Sequence, residues 1–265
     1  GQVRAGQFGD PPFRTPRDLD GYGIEGRVTA TTASDGTMAK VAASEVYSAL
    51  RQSILDGVIA PGTRINIDAV SRRLGVSQTP VREALQHLEG DNLLVYAPGR
   101  GYSTTPLLSL AELRALFEFR LLVEPWAARS AAVDRLSNPS AALRAELEVL
   151  ERQVDGTANV PRDLLAHDAR FHDVILASAG NPVVQQAYVQ THCHLHMFRL
   201  YPADLHSSVT LMEHRRISDA VAAADPVAAE EAMSAHVRNS FHRFARAFGA
   251  VPSGLPSTMP GRMTP

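Results

Sequence analysis

Apolar residues recur every three or four positions through most of this chain, and residues 46 to 106 vary that rhythm in an ordered way. Val46, Leu50 and Ile54 share one face of a helix. Ile67, Val70 and Leu74 share the face of another, which Gly75 ends by supplying the left-handed residue that helix termini favour. Pro80 suits a first helical turn, Ser77 or Thr79 can accept a backbone N–H there, and Val81, Ala84, Leu85 and Leu88 form the stripe of a third helix. After Gly90-Asp91-Asn92, Leu93 to Tyr96 reads as a strand, Pro98 to Gly101 as a hairpin turn and Tyr102 to Thr104 as the returning strand. The pattern predicts a small winged helix-turn-helix over residues 41–106.

Ser109 is placed to cap the next helix after the junction at 104–109. Helical spacing then holds over 110–135, 139–154, 161–179, 182–200, 207–224 and 226–248, broken by Asn138-Pro139, Gly156, Gly180-Asn181-Pro182, Tyr201-Pro202 and Asp225-Pro226. Six helices suffice for an all-α bundle over 107–250, so the expected fold is mainly α, a winged helix-turn-helix followed by a helical domain. Residues 1–40 and the proline-rich 251–265 lack periodicity and are expected to be a disordered arm and tail.

Composition sets outer bounds. A chain of 265 residues, 45% hydrophobic with a net charge of -2, has room for two domains, and a lone Cys193 excludes an internal disulfide framework. No apolar run is long enough for a membrane span and no signal segment opens the sequence, so a cytoplasmic protein is expected.

On the third helix, the face opposite the apolar stripe carries Gln78, Thr79, Arg82 and Gln86, which can reach phosphates or base edges once the helix lies in a major groove. Ser77 at its start, Arg51 and Arg72 on the preceding helices, and Arg100 with Gly101 at the wing complete the expected contacts to double-stranded operator DNA. Basic and acidic side chains roughly cancel over 41–106, so affinity must come from local placement. The bland alternative is a helix that only packs in a core, with Arg82 and Glu83 on a solvated face.

In the helical half, Asp168 and His172 lie four apart and project from one side of a helix, while His214 and His236 fall on two later helices of similar periodicity. One carboxylate and three imidazoles suit a divalent transition metal such as Zn, Ni or Mn; the same residues could equally be satisfied core polar groups. Arg120 and Glu124 form either a buried ion pair or a contact for a carboxylate effector. Alternate histidines at His192, His194 and His196 cannot share one metal on an intact helix, and His196 with Arg199 is the expected further pair of effector contacts. A different class of reading takes His167-Asp168 as the start of a metal-dependent phosphohydrolase of the HD type; adjacent residues face about 100° apart on a helix, which disfavours it.

The string Gly75-Val76-Ser77-Gln78-Thr79-Pro80-Val81-Arg82-Glu83-Ala84-Leu85, flanked by a helix and a wing, resembles the GntR transcription regulators, with Gln78 where that family usually has arginine. Glutamine at a base-facing position favours adenine over guanine. The second half resembles the FCD domain of one GntR branch, through Phe117 to Pro125, Asp168-Ala169-Arg170-Phe171-His172 and Ala177 to Asn181. In metal-binding members the ligands are one Asp and three His, and the matching positions are Asp168, His172, His214 and His236. The resemblance implies a homodimeric repressor released by a small carboxylate, an organic or sugar acid; the other regulator reading is an effector-independent DNA-binding protein with a structural metal.

Overall fold

The computed structural model describes residues 35–133, 138–154, 160–200, 207–249 and 255. Most of the expected arm and tail therefore lies outside the described residues. Helix α1 (Asp35–Leu55) begins well before Val46, so its first residues fall within the stretch expected to be disordered. Helix α2 (Ile67–Leu74) starts at Asn66, whose side chain accepts from the backbone of Ala69, and ends at Gly75, left-handed at φ 69°. Helix α3 (Gln78–Gly90) follows with Ser77 at its cap position, although the Ser77 side chain makes no capping bond. Strands β1 (Leu94–Ala97) and β2 (Gly101–Thr104) pair antiparallel with Leu94 opposite Thr104 and Tyr96 opposite Tyr102, forming the wing. Val46, Leu50, Val70, Leu74, Val81, Leu85 and Leu88 are buried together, so the helical spacing of these residues is the core of this unit.

Ser109 caps helix α4 (Leu110–Ala131) with a reciprocal bond between its side chain and Glu112, which fixes where the helical domain begins. Helices α5 (Ser140–Val154) and α6 (Val160–Ser178) come next. The single helix expected over 182–200 is two, α7 (Pro182–Gln190) and α8 (Cys193–Leu200). The break is backbone chemistry: His192 sits at φ 47°, a left-handed conformation that a continuing helix excludes. Helices α9 (Ser207–Ala222) and α10 (Pro226–Ala245) close the bundle, α10 capped by Asp225.

Phe117 of α4 meets Phe241 of α10 at a ring separation of 5.5 Å, in a core that also takes in Leu143, Phe171, Ile217 and Met233. Helix α8 departs from this arrangement. Its Leu195 and Phe198 are buried in the apolar cluster of the winged unit, so one short helix is shared between the two cores.

Candidate metal centre and DNA-reading face

Asp168 and His172 stand one turn apart on α6, His214 comes from α9 and His236 from α10. One ligand atom from each of the four lies within 4.8 Å of all the others. Atoms bonded to one ion at about 2.1 Å stand at most about 4.2 Å apart, so the cluster is within about half an ångström of closing. Nε2 of His172 is 3.7 Å and Nε2 of His214 is 3.4 Å from the same oxygen, Oδ1 of Asp168. The three imidazoles are essentially buried, and Nε2 of His172, His214 and His236 each lacks a hydrogen-bond partner. Three buried, unpaired nitrogens beside a carboxylate are costly unless something accepts their lone pairs, and a divalent cation does so.

The opposite side of each ligand is held. His236 Nδ1 lies 2.9 Å from Oε2 of Glu213, which Arg243 also grips at 2.8 Å. His214 Nδ1 is hydrogen-bonded to Nε2 of His167 at 2.9 Å, and the His214 ring stacks on Phe171 at 4.0 Å. His172 Nδ1 is 2.9 Å from Oε2 of Glu124. Asp168 Oδ2 accepts from Nδ1 of His194 at 2.6 Å. Such partners fix ring orientation and set which nitrogen keeps its lone pair.

Charge reinforces the geometry. Burial drives His172 down to about 4 against the pull of Glu124 and Asp168. His214 is also pushed well below the ordinary imidazole value, by burial and then His236. Both are therefore neutral at neutral pH, with lone pairs free. Burial would raise the Asp168 carboxyl, yet the protonated His194, by its charge and its hydrogen bond, overcomes it and holds it ionised. Hard carboxylate oxygen with neutral imidazole nitrogen is a donor set for Zn, Ni or Mn.

On the winged unit, Gln78, Thr79, Arg82 and Gln86 form an exposed stripe on α3, opposite the buried Val81, Ala84, Leu85 and Leu88. Arg82 donates to Gln78 at 3.2 Å, and Gln78 donates to Asp68 on α2, so the two base-facing candidates are held side by side. Arg72 and the wing-tip Arg100 are exposed as well.

Residues 42–103 match the gntR family of bacterial regulatory proteins and residues 115–239 match the FCD domain. The chain belongs to the GntR family, in its FCD branch. It is 31% identical over 154 residues to an HTH-type transcriptional regulator of Agrobacterium vitis, covering 56% of this chain and 86% of the relative. It is 27% identical over 195 residues to the HTH-type transcriptional regulator YdhC of Bacillus subtilis, covering 72% of this chain and 86% of that protein. A probable D-xylose utilization operon transcriptional repressor of Paenarthrobacter nicotinovorans is 27% identical over 216 residues, 80% of this chain and 93% of the relative. Among solved structures, a putative GntR regulator from Rhodococcus sp. RHA1 superposes at a TM-score of 0.63 with 21% identity, over 78% of this chain and 98% of that one. E. coli McbR/YncC superposes at 0.62 with 20% identity over the same shares. These structures share the fold.

Within this GntR regulator several sequence expectations need correction. Arg120, 1% exposed, takes the buried ion pair of its two readings: its Nε and Nη2 donate to Glu124 and its Nη1 reaches Met197 Sδ at 3.2 Å. Glu124 is the hub behind His172, accepting also from the Tyr188 hydroxyl at 2.5 Å. Arg199 does not reach the metal cluster: its guanidinium donates to the hydroxyl and carbonyl of Thr105, at the junction of the two domains. His196 has Arg199 and His192 as neighbours, and the histidine of that run that meets the cluster is His194. The break at His192 reorients the run, which an unbroken helix conceals. Arg51, expected at the DNA, lines a cleft against α6 and α8. His167 belongs behind His214, which removes the arrangement the phosphohydrolase alternative needs. Glu213 and Tyr188 carried no sequence signal beyond Glu213 standing next to His214.

Proposed function

We propose that this GntR regulator is an effector-responsive repressor, with Asp168, His172, His214 and His236 holding a divalent transition ion and a small carboxylate as the signal. The observation that carries the reading is the set of three unpartnered, buried Nε2 atoms facing the ionised Asp168. A bound ion of this kind offers further coordination positions to carboxylate oxygens. Asp168 is the member still reachable, at 18% exposure against 0% for His172 and His214, so a ligand entering the site meets it first. Operator binding belongs to α3 and the wing, through Gln78, Thr79 and Arg82, with Ser77, Arg72, Arg100 and Gly101 on the backbone; one recognition helix per half-site of a homodimer fits a near-palindromic operator.

Coupling runs through α8. Its first turn holds Asp168 through His194, its middle is packed into the winged unit through Leu195 and Phe198, and its last turn grips Thr105 through Arg199. A change in how Asp168 is engaged therefore acts on a helix that the DNA-binding unit also uses, and about 1–3 kcal/mol of such coupling changes operator occupancy by several-fold or more. The experiment is metal analysis of the purified chain, with Asp168→Ala alongside. Close to one ion per chain, lost in the variant while operator affinity without effector is kept, supports the reading. Wild-type protein that takes up no ion on reconstitution overturns it.

A further inference from the structure

A cleft of about 470 Å³ opens between the winged unit and the helical domain. Leu55 of α1 forms one wall, Leu165 and Ala169 of α6 another, and Val189, Leu195 and Phe198 of α7 and α8 the third. It adjoins the metal cluster through His194, which lines the cleft and bonds to Asp168. Asp168, Phe171, His172 and Ile175 turn toward the bundle, whereas Ala166, Ala169 and Asp173 centre about 140° around the same helix and face the cleft, with Leu165, two turns before His172, between the two directions. The two spaces are neighbours around one helix, separated by the His194–Asp168 bond.

The polar groups of the cleft state what it can hold. Its deeper ones are already committed: the Tyr188 hydroxyl to Glu124 and the His194 imidazole to Asp168 and Tyr188. At the rim two arginines balance two aspartates, so no net field selects an anion or a cation. Arg170 is bound to Glu146 at 2.9 Å, Asp173 accepts from Gln185 at 2.8 Å, and Arg51 contacts Tyr47. A charged ligand would have to break these pairs; an apolar one gains from the walls without that cost. Volume narrows the occupant further. One turn of helix with its side chains fills about 420 Å³, so the cleft takes a single turn at most, too little for a docked segment, while it lies within the range of small-molecule pockets.

We infer that this interdomain cleft is a second ligand site of the regulator, taking a neutral, largely apolar small molecule such as an aromatic or branched hydrocarbon derivative, independently of the metal. Because α1 carries part of the winged unit's core and α6 to α8 belong to the helical domain, an occupant touches both and alters operator affinity.

The test is titration of the full chain with the neutral dye N-phenyl-1-naphthylamine, whose fluorescence rises in apolar surroundings, with and without chelator. Two variants fill the cleft from different walls, Gln52→Trp on α1 and Val189→Trp on α7; Val189 is 53% exposed, so the fold tolerates the larger side chain there. Val183→Trp, exposed on α7 and outside the cleft, controls for the added indole. The expected result is saturable one-site binding that survives chelation, weakens about tenfold or more in both filling variants and is unchanged in the control. Saturating dye should also shift operator affinity about fivefold or more. Non-saturable binding, or equal affinity in the filling variants, overturns the site; saturable binding that leaves operator affinity unmoved overturns its regulatory role. Loss of metal binding with dye binding intact would count against the metal reading alone.

Discussion

Each histidine of the cluster turns one nitrogen toward a holding group and the other toward a shared space, and the holding groups come from other positions: Glu213 for His236, His167 for His214, Glu124 for His172. Glu213 is held down to about 2; burial would raise it, and His236 with Arg243 more than compensates. Its negative charge fixes Nδ1–H on His236 and leaves Nε2 for an ion. Glu213→Gln keeps the shape and removes the charge, and it should weaken ion affinity about 10–100-fold in a competitive chelator titration. His196, by contrast, is a stability residue. Burial, then Arg199 and His192, lower it from 6.5 to about 4. Between those values the unfolded chain takes up a proton that the folded chain declines, so this contribution is complete above about pH 6.5 and is lost as pH falls toward about 4. His196→Gln should lose less stability than wild type between about pH 7 and about pH 5, read from urea midpoints; an equal loss in both would assign the pH dependence elsewhere.

In the proposed mechanism helix α8 ties signal to response, and two arginines separate its role from that of α3. Arg199→Ala removes both bonds to Thr105 and should preserve ion content and operator affinity while reducing the effector-induced change in that affinity. Arg82→Ala should cost about 1–3 kcal/mol of operator binding with the ion retained. Gel-shift titrations with and without effector distinguish the two. The sequence made α3 readable because its apolar stripe and exposed stripe alternate at helical period, and Val81, Ala84, Leu85 and Leu88, named from that period, are all buried. Asp168 and His172 were readable for the same reason, one turn apart on α6. Helix α8 was not: an αL residue at His192 has no composition signature when it is not glycine, so the 182–200 segment reads as one helix. With the break hidden, His194 could not be assigned to Asp168, nor Arg199 to Thr105, since both pairings join segments far apart in sequence.

At the scale of the whole molecule, two apolar cores meet at α8, and the ion-facing cluster and the operator-facing stripe belong to different cores. The proposed regulation runs through neither domain alone but through the shared helix and the junction at Thr105. The account's central claim is that a carboxylate read at the four-residue cluster changes the grip on DNA. The direct test is fluorescence anisotropy on a duplex that the full chain has selected from a random pool. Organic and sugar acids would be titrated onto ion-loaded wild type, chelated wild type and Asp168→Ala. The prediction is that one acid weakens binding about 5–150-fold in the ion-loaded protein and has no effect on the other two. Operator affinity that stays constant across these acids in the ion-loaded protein, or falls equally after chelation, would contradict the account.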